Sequence, residues 1–256
     1  MKKSEELRDL AILELTEYIN SLSDRHGEKL SYWVRDYVRL LRAEASFNPR
    51  KLIRYKRGSI VKAHLGYRIG SEEGGLHYAV VIDNQNALSD ATIRILPLTS
   101  VKDGTDIESL HHSNIYLGDE IFLRVSEKLE HFRTRNDAEE EALLSRIDEV
   151  HAEMVAPPPE NANHRVYLAE KRASFNGLMH EVKLLHERAM QEKKVFDALS
   201  KMKTGSIALV GQITTISKLR IYDPIYKSGV LNNIKLSDDS LTKIDKKIIE
   251  LYTKST

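Results

Sequence analysis

The chain has 256 residues, 41% hydrophobic and 30% charged, enough for one large domain or two small ones with a real core. With 39 Lys and Arg against 38 Asp and Glu, the net charge of +1 excludes a strongly basic nucleic-acid wrapper and an acidic solvating tail. The lack of cysteine excludes disulfide scaffolds, thiolate nucleophiles and cysteine-ligated zinc. No apolar run approaches the roughly 18 residues of a membrane helix. The start, Met1-Lys2-Lys3-Ser4-Glu5-Glu6, leads into a segment with Glu14 and Glu17 rather than a signal peptide's uncharged core. A cytoplasmic protein with no membrane association is expected.

Residues 1–50 hold nine basic and nine acidic residues, with apolar positions at Leu7, Leu10, Ala11, Leu15 and Tyr18, then at Leu30, Trp33, Val34, Tyr37 and Leu41. The three-and-four spacing predicts two helices, each with one buried face, separated by a break at Ser23–Gly27. Over residues 51–123 the pattern shifts to short β-branched runs at Ile60–Leu65, Tyr78–Ile82 and Thr92–Leu96. Asn114–Leu117 and Glu120–Leu123 read as a further hairpin turning at Gly118-Asp119.

Residues 124–203 return to helical spacing. Leu143, Ile147, Val150 and Met154 precede Pro157-Pro158-Pro159, and Phe175, Leu178, Val182, Leu185, Ala189, Phe196 and Leu199 follow it. The proline run cannot continue a helix, so a long antiparallel helical hairpin with a heptad seam is expected. Strand character resumes at Gly205–Val210 and Gln212–Ile216, and Ser237 caps a last helix through Leu251. The organisation is therefore a helical extension (1–50), a β-rich unit in two parts (51–123 and 204–256) and a helical insertion (124–203).

The β-rich blocks resemble a known family. Lys56-Arg57-Gly58-Ser59-Ile60-Val61 leads into Gly70-Ser71-Glu72-Glu73-Gly74-Gly75-Leu76-His77-Tyr78-Ala79-Val80-Val81-Ile82. Ile95-Leu96-Pro97-Leu98-Thr99-Ser100 and the segment Gly205–Arg220, with Gln212, Lys218 and Arg220, follow in order. Together they resemble the PemK/MazF toxins over about half of the chain. The resemblance implies an α+β fold built on an SH3-like β-barrel, here with an N-terminal helical pair and an inserted helical hairpin. It further implies a homodimer, neutralised by a separate antitoxin protein, that cleaves single-stranded RNA by attack of the RNA's own 2′-hydroxyl. No metal or other cofactor is needed for that reaction.

Carried onto this chain, the resemblance makes Thr99 and His77 the catalytic pair. Ser71, Glu73 and Gln212 become assisting residues by the same match, while Arg68 in the glycine-bounded loop and Arg94 on the strand next to Thr99 are candidates to restore positive charge, and Tyr78 beside them to stack on RNA. His77 stands where the family has an arginine, and Tyr78 where it has a proline. An arginine brings a permanent charge and a planar fork suited to phosphate, whereas a histidine can shuttle protons near neutral pH. Two readings stay open: a ribonuclease with altered acid–base chemistry, or a degenerate toxin fold that binds a protein or nucleic-acid partner through its helical additions. Residues 1–50 or the insertion are a further candidate, as segments occluding the RNA groove in cis. His111-His112 lacks a carboxylate at ligand spacing and is expected to be a solvent-exposed pair rather than a metal site.

Overall fold

The β-branched runs form strands and the three-and-four-spaced runs form helices in the computed structural model, which describes residues 2–160 and 163–254. The order is α1 (Lys2–Ser21), α2 (Asp24–Glu44), β1 (Ile60–His64), β2 (Leu76–Val81), β3 (Thr92–Ser100), β4 (Asn114–Tyr116), α3 (Glu120–Val155) and α4 (His164–Leu199). It continues with β5 (Ser206–Leu209), β6 (Thr214–Ser217), β7 (Ile221–Asp223) and α5 (Asp238–Tyr252). The fold is α+β, with an open antiparallel sheet of seven strands. The strand order is β4-β5-β3-β2-β1-β7, and β6 also pairs with β3. No helix among the described residues is long and apolar enough to cross a membrane.

The chain divides into two compact units, residues 1–117 with 207–256, and residues 118–206. In the first, alternate residues of the strands converge on one apolar cluster. Val61 and Ala63 of β1, Ala79 and Val81 of β2, Ile93 and Ile95 of β3, Ile216 and Ile221 are all buried there. The period of two sends the intervening residues to the other face, where Ile60, Val80 and Leu96 are buried as well. Leu241 lies against Gly58, and Asp245 pairs with Arg57, which seats α5 beside the start of β1. Ser237 caps α5 by accepting the Ser240 N–H, as its sequence position predicts.

The N-terminal helices depart from expectation. The break falls at Leu22-Ser23, and Asp24–Gly27 already form the first turn of α2. The apolar positions of α1 do not form a buried face: Leu7, Leu10, Leu15 and Tyr18 are exposed. On α2, Leu30 is buried but Tyr37 and Leu41 are exposed. Periodicity tells which face of a helix is apolar, not whether anything covers it.

The second unit is the helical hairpin, with α3 ending at Val155 before the proline run and Asn163 capping α4. The expected hairpin strand at Glu120–Leu123 is overturned, because these residues are the first turn of α3. Buried Ile121, Val125 and Leu129 recur every four residues and carry one helical stripe across that boundary. Val150, Leu178 and Val195 are buried, whereas Phe175, Val182 and Phe196, expected in the seam, are exposed. Much of the joining is polar: Asn136 donates to Glu192 (2.7 Å), Lys171 to the Met154 and Ala156 carbonyls (2.8 Å each), and Arg188 pairs with Glu139.

Candidate active site

The site grows from the turn between β1 and β2. Two backbone bonds close the base of this turn, Leu65 N–H to Gly75 O (2.7 Å) and Gly75 N–H to Gly66 O (2.8 Å). Gly66 adopts φ +101°, and a Cβ there would lie 3.2 Å from the Trp33 ring, so glycine both allows the backbone and admits the tryptophan of α2. Gly74 is equally constrained, because its Cβ would sit 2.9 Å from the Gly66 carbonyl.

The far side of the turn is tied down by Gln212. β5 and β6 both run along β3, and between them a single 3-10 turn at Val210–Gln212 interrupts the pairing. From this interruption Gln212 donates to the Ser71 carbonyl (3.2 Å) and accepts the Glu73 N–H (3.3 Å). Glu73, thus positioned, meets His77 on the first part of β2, with Oε1 to Nε2 at 3.0 Å. The other ring nitrogen, Nδ1, lies 3.2 Å from the Leu98 carbonyl. The two side chains are only 24% and 28% exposed, so solvent screens the pair weakly. Both neighbours of the ring are acceptors. A neutral imidazole can donate to one of them, and only the doubly protonated ring donates to both.

Thr99 enters through strand register. β2 and β3 pair Val81 with Ile95 and Ala79 with Pro97. Beyond those pairs the His77 ring reaches the carbonyl of Leu98, the residue before Thr99, at 3.2 Å. His77 and Thr99 share the parity of the buried face, at the end of the sheet where the apolar cluster stops.

The structure therefore brings together His77, Glu73, Thr99, Gln212 and the Ser71 backbone. Arg68 lies close by: its Nε donates to the Leu65 carbonyl (2.9 Å) and its guanidinium faces Glu72 at 3.7 Å. Arg94 is not brought in. It sits five residues before Thr99, roughly 16 Å along the strand, and is paired with buried Asp83 at 2.9 Å. Tyr78 points to the opposite face from His77, beneath the Lys62 ammonium at 5.5 Å. Burial, and then Asp223, push its phenol pKa up.

Several neighbours were not legible as site residues. Trp33 of α2 stacks on His64 (centroids 4.5 Å, planes 19° apart), and the Arg220 guanidinium lies 5.6 Å from its ring. Arg220 also donates to the Leu65 carbonyl (3.2 Å), so two guanidinium groups converge on one oxygen. Burial lowers the pKa of Arg220, and the charge of Arg68 adds to the lowering. His64 accepts the Gly66 N–H on Nδ1 (3.0 Å). Burial holds its pKa below the usual histidine value; Asp36 opposes this, while Arg220 and His77 add to it. Arg220 closes the third family-like block, the one signal that pointed to it.

Two open grooves flank the His77–Glu73 pair. One, of about 760 Å³, runs between α2 and the β1–β2 turn and reaches His77. The other, of about 490 Å³, is lined by Glu73, Gln212, Ser113 and the His111-His112 pair, whose rings are 4.2 Å apart. The two histidines thus face a groove shared with Glu73, a closeness that 37 residues of intervening chain conceal. Comparison with protein-family models and with curated proteins finds no match for the chain.

Proposed function

We propose that this protein is a metal-independent endoribonuclease that cleaves single-stranded RNA by 2′-hydroxyl attack. The observation that carries the proposal is the pair of contacts made by His77, Nε2 on Glu73 and Nδ1 on the carbonyl preceding Thr99. Cleavage of this kind forms a bond from the 2′-oxygen to phosphorus and breaks the bond from phosphorus to the 5′-oxygen. One proton leaves the 2′-hydroxyl and one reaches the departing oxygen, while negative charge builds on the phosphate. A histidinium beside the scissile phosphate supplies both a charge and a transferable proton. The histidinium gives its proton to the departing 5′-oxygen, the Glu73 carboxylate beside it takes the proton of the 2′-hydroxyl, and the Thr99 hydroxyl donates to a phosphate oxygen. Gln212 acts by holding the backbone of Ser71 and Glu73, and Arg68 adds positive charge.

The same reading takes the sheet as an SH3-like barrel, which is supported by β5 and β6 following one another along β3 around a 3-10 turn. A homodimer and a separate antitoxin follow from the resemblance to PemK/MazF toxins and form part of the proposal.

One observation favours a second reading, a binding module that does not cut. Both ring nitrogens of His77 are engaged within the chain, so one contact must open before the ring can exchange a proton with RNA. Incubation of the purified chain with a long unstructured RNA in EDTA decides between them. The nuclease reading expects cleavage that leaves 2′,3′-cyclic phosphate ends and is lost in Thr99→Ala and His77→Ala. Intact RNA, with His77→Arg alone gaining activity, establishes the binding module instead.

A further inference from the structure

The 760 Å³ groove falls within the roughly 300–1,000 Å³ of clefts that hold small ligands, and one of its walls is α2. That wall is fixed rather than loose. Trp33 is stacked on His64 and sits against Gly66, and the Tyr222 hydroxyl donates to Asp36 (3.2 Å). The helix therefore leaves the approach to His77 open along one side instead of filling it.

The chemistry of the lining is specific. Tyr32 from α2 and Tyr67 from the turn are 52% and 40% exposed, two phenol rings presented to the groove. The acidic residues of the lining are already engaged, Asp36 by the Tyr222 hydroxyl and by Arg39 (3.5 Å), and Glu72 by Arg68. Two cations line the groove: Lys29 makes no ion pair among the described residues, and Arg68 donates to the Leu65 carbonyl and faces Glu72 at 3.7 Å. An unpaired ammonium and a guanidinium beside two partly exposed phenol rings suit an anion attached to a planar base.

We propose that this groove binds a nucleotide of single-stranded RNA next to the scissile phosphate, its base stacked on Tyr32 and Tyr67 and its phosphate held by Arg68 and Lys29. The proposal rests on the ribonuclease reading and extends it, because the N-terminal extension becomes part of the substrate site. It differs from occlusion in cis, where α2 would hinder RNA.

The chain carries its own reporter, since Trp33 is its one tryptophan and it lines the groove. A mixed-sequence single-stranded 2′-O-methyl oligonucleotide has no free 2′-hydroxyl and is bound without being cut. Its titration into the full chain should change Trp33 emission saturably, and a double-stranded 2′-O-methyl duplex should not. Tyr67→Ala and Lys29→Ala should each weaken binding roughly tenfold, with thermal melts superimposable on wild type. The inference is overturned if wild type cuts RNA while Trp33 emission stays constant, or if both variants bind as tightly as wild type. Faster cleavage by Tyr67→Ala or Lys29→Ala also overturns it, in favour of occlusion. A wild-type chain that neither cuts RNA nor binds the oligonucleotide removes the ribonuclease reading itself, and this one with it.

Discussion

The two compact units of this chain solve the problem of stability in different ways. The sheet unit draws Val61, Ala79, Ile95, Ile216 and Ile221 into one apolar cluster from five strands that lie far apart in sequence. The hairpin unit relies on contacts that repeat along a helix or between two neighbours, with pairs such as Arg135–Glu139 and Lys193–Asp197 one turn apart. Long-range pairing has a consequence that local pairing lacks: it places groups from distant segments at one point. Glu73, His77, the Leu98 carbonyl and Gln212 meet at the end of the sheet, and all eight residues singled out from sequence lie in this unit. Exposed helical ion pairs each add only a few tenths of a kcal/mol, beside the buried Val125, Leu129, Val150 and Leu178, and bring no distant segments of chain together.

The largest expected effect would establish this division of labour. Thr99→Ala and His77→Ala should each lower the rate of RNA cleavage by about 10²–10⁴-fold, the range of a lost acid–base or charge-stabilising group. Arg146→Ala, in the hairpin, should leave the rate within about twofold. Single-turnover cleavage of a labelled RNA is the measurement, and an equal loss in Arg146→Ala would break the comparison.

Stability gives the next test. Ile95 is fully buried in the sheet cluster, so Ile95→Ala should cost about 2–5 kcal/mol through lost burial and the cavity left behind. A shift in the urea midpoint reports it. In the hairpin the Asn163 side chain accepts the Arg165 and Val166 N–H groups at 3.0 and 3.4 Å, capping α4. Asn163→Ala should cost only about 1 kcal/mol. A cap variant as damaging as Ile95→Ala would mean that the hairpin is the more fragile unit.

Sequence reading succeeded where structure is local and faltered where it is not. β1, β2 and β3 were legible because β-branched residues bounded by glycine and asparagine fit only a strand there, and α3 and α4 because a proline run divides two heptad series. Glu120–Leu123 misled because three apolar residues after Gly118-Asp119 imitate a strand, although the four-residue spacing of Ile121, Val125 and Leu129 was the better signal. β7 is three residues long and too short to leave a pattern. In the site, Glu73 and His77 are four residues apart and came with the turn itself. The contributions of Trp33, Arg220 and His111 depend on packing between segments from 31 to 187 positions apart, which no local spacing encodes.

The smallest expected effect is a tilt of stability with pH, and it tests whether α2 truly belongs to the sheet unit. His64 lies under Trp33 and accepts the Gly66 N–H, so a proton on Nδ1 would replace an acceptor with a donor facing a donor. Its folded pKa is held below its ordinary value near 6.5, chiefly by burial, so the folded chain takes up fewer protons than the unfolded chain. The His64 contribution is therefore complete above about pH 6.5 and is lost as pH falls through that value and then through the lower folded one. Asparagine retains an oxygen near the Nδ1 position but does not titrate. His64→Asn should accordingly unfold with a shallower loss of stability between pH 7 and 5 than wild type, even if it is less stable throughout. Parallel pH profiles for the two chains would show that His64 titrates as freely in the folded chain as in the unfolded one. In that case α2 does not shield it, and the wall assigned to the groove would not be there.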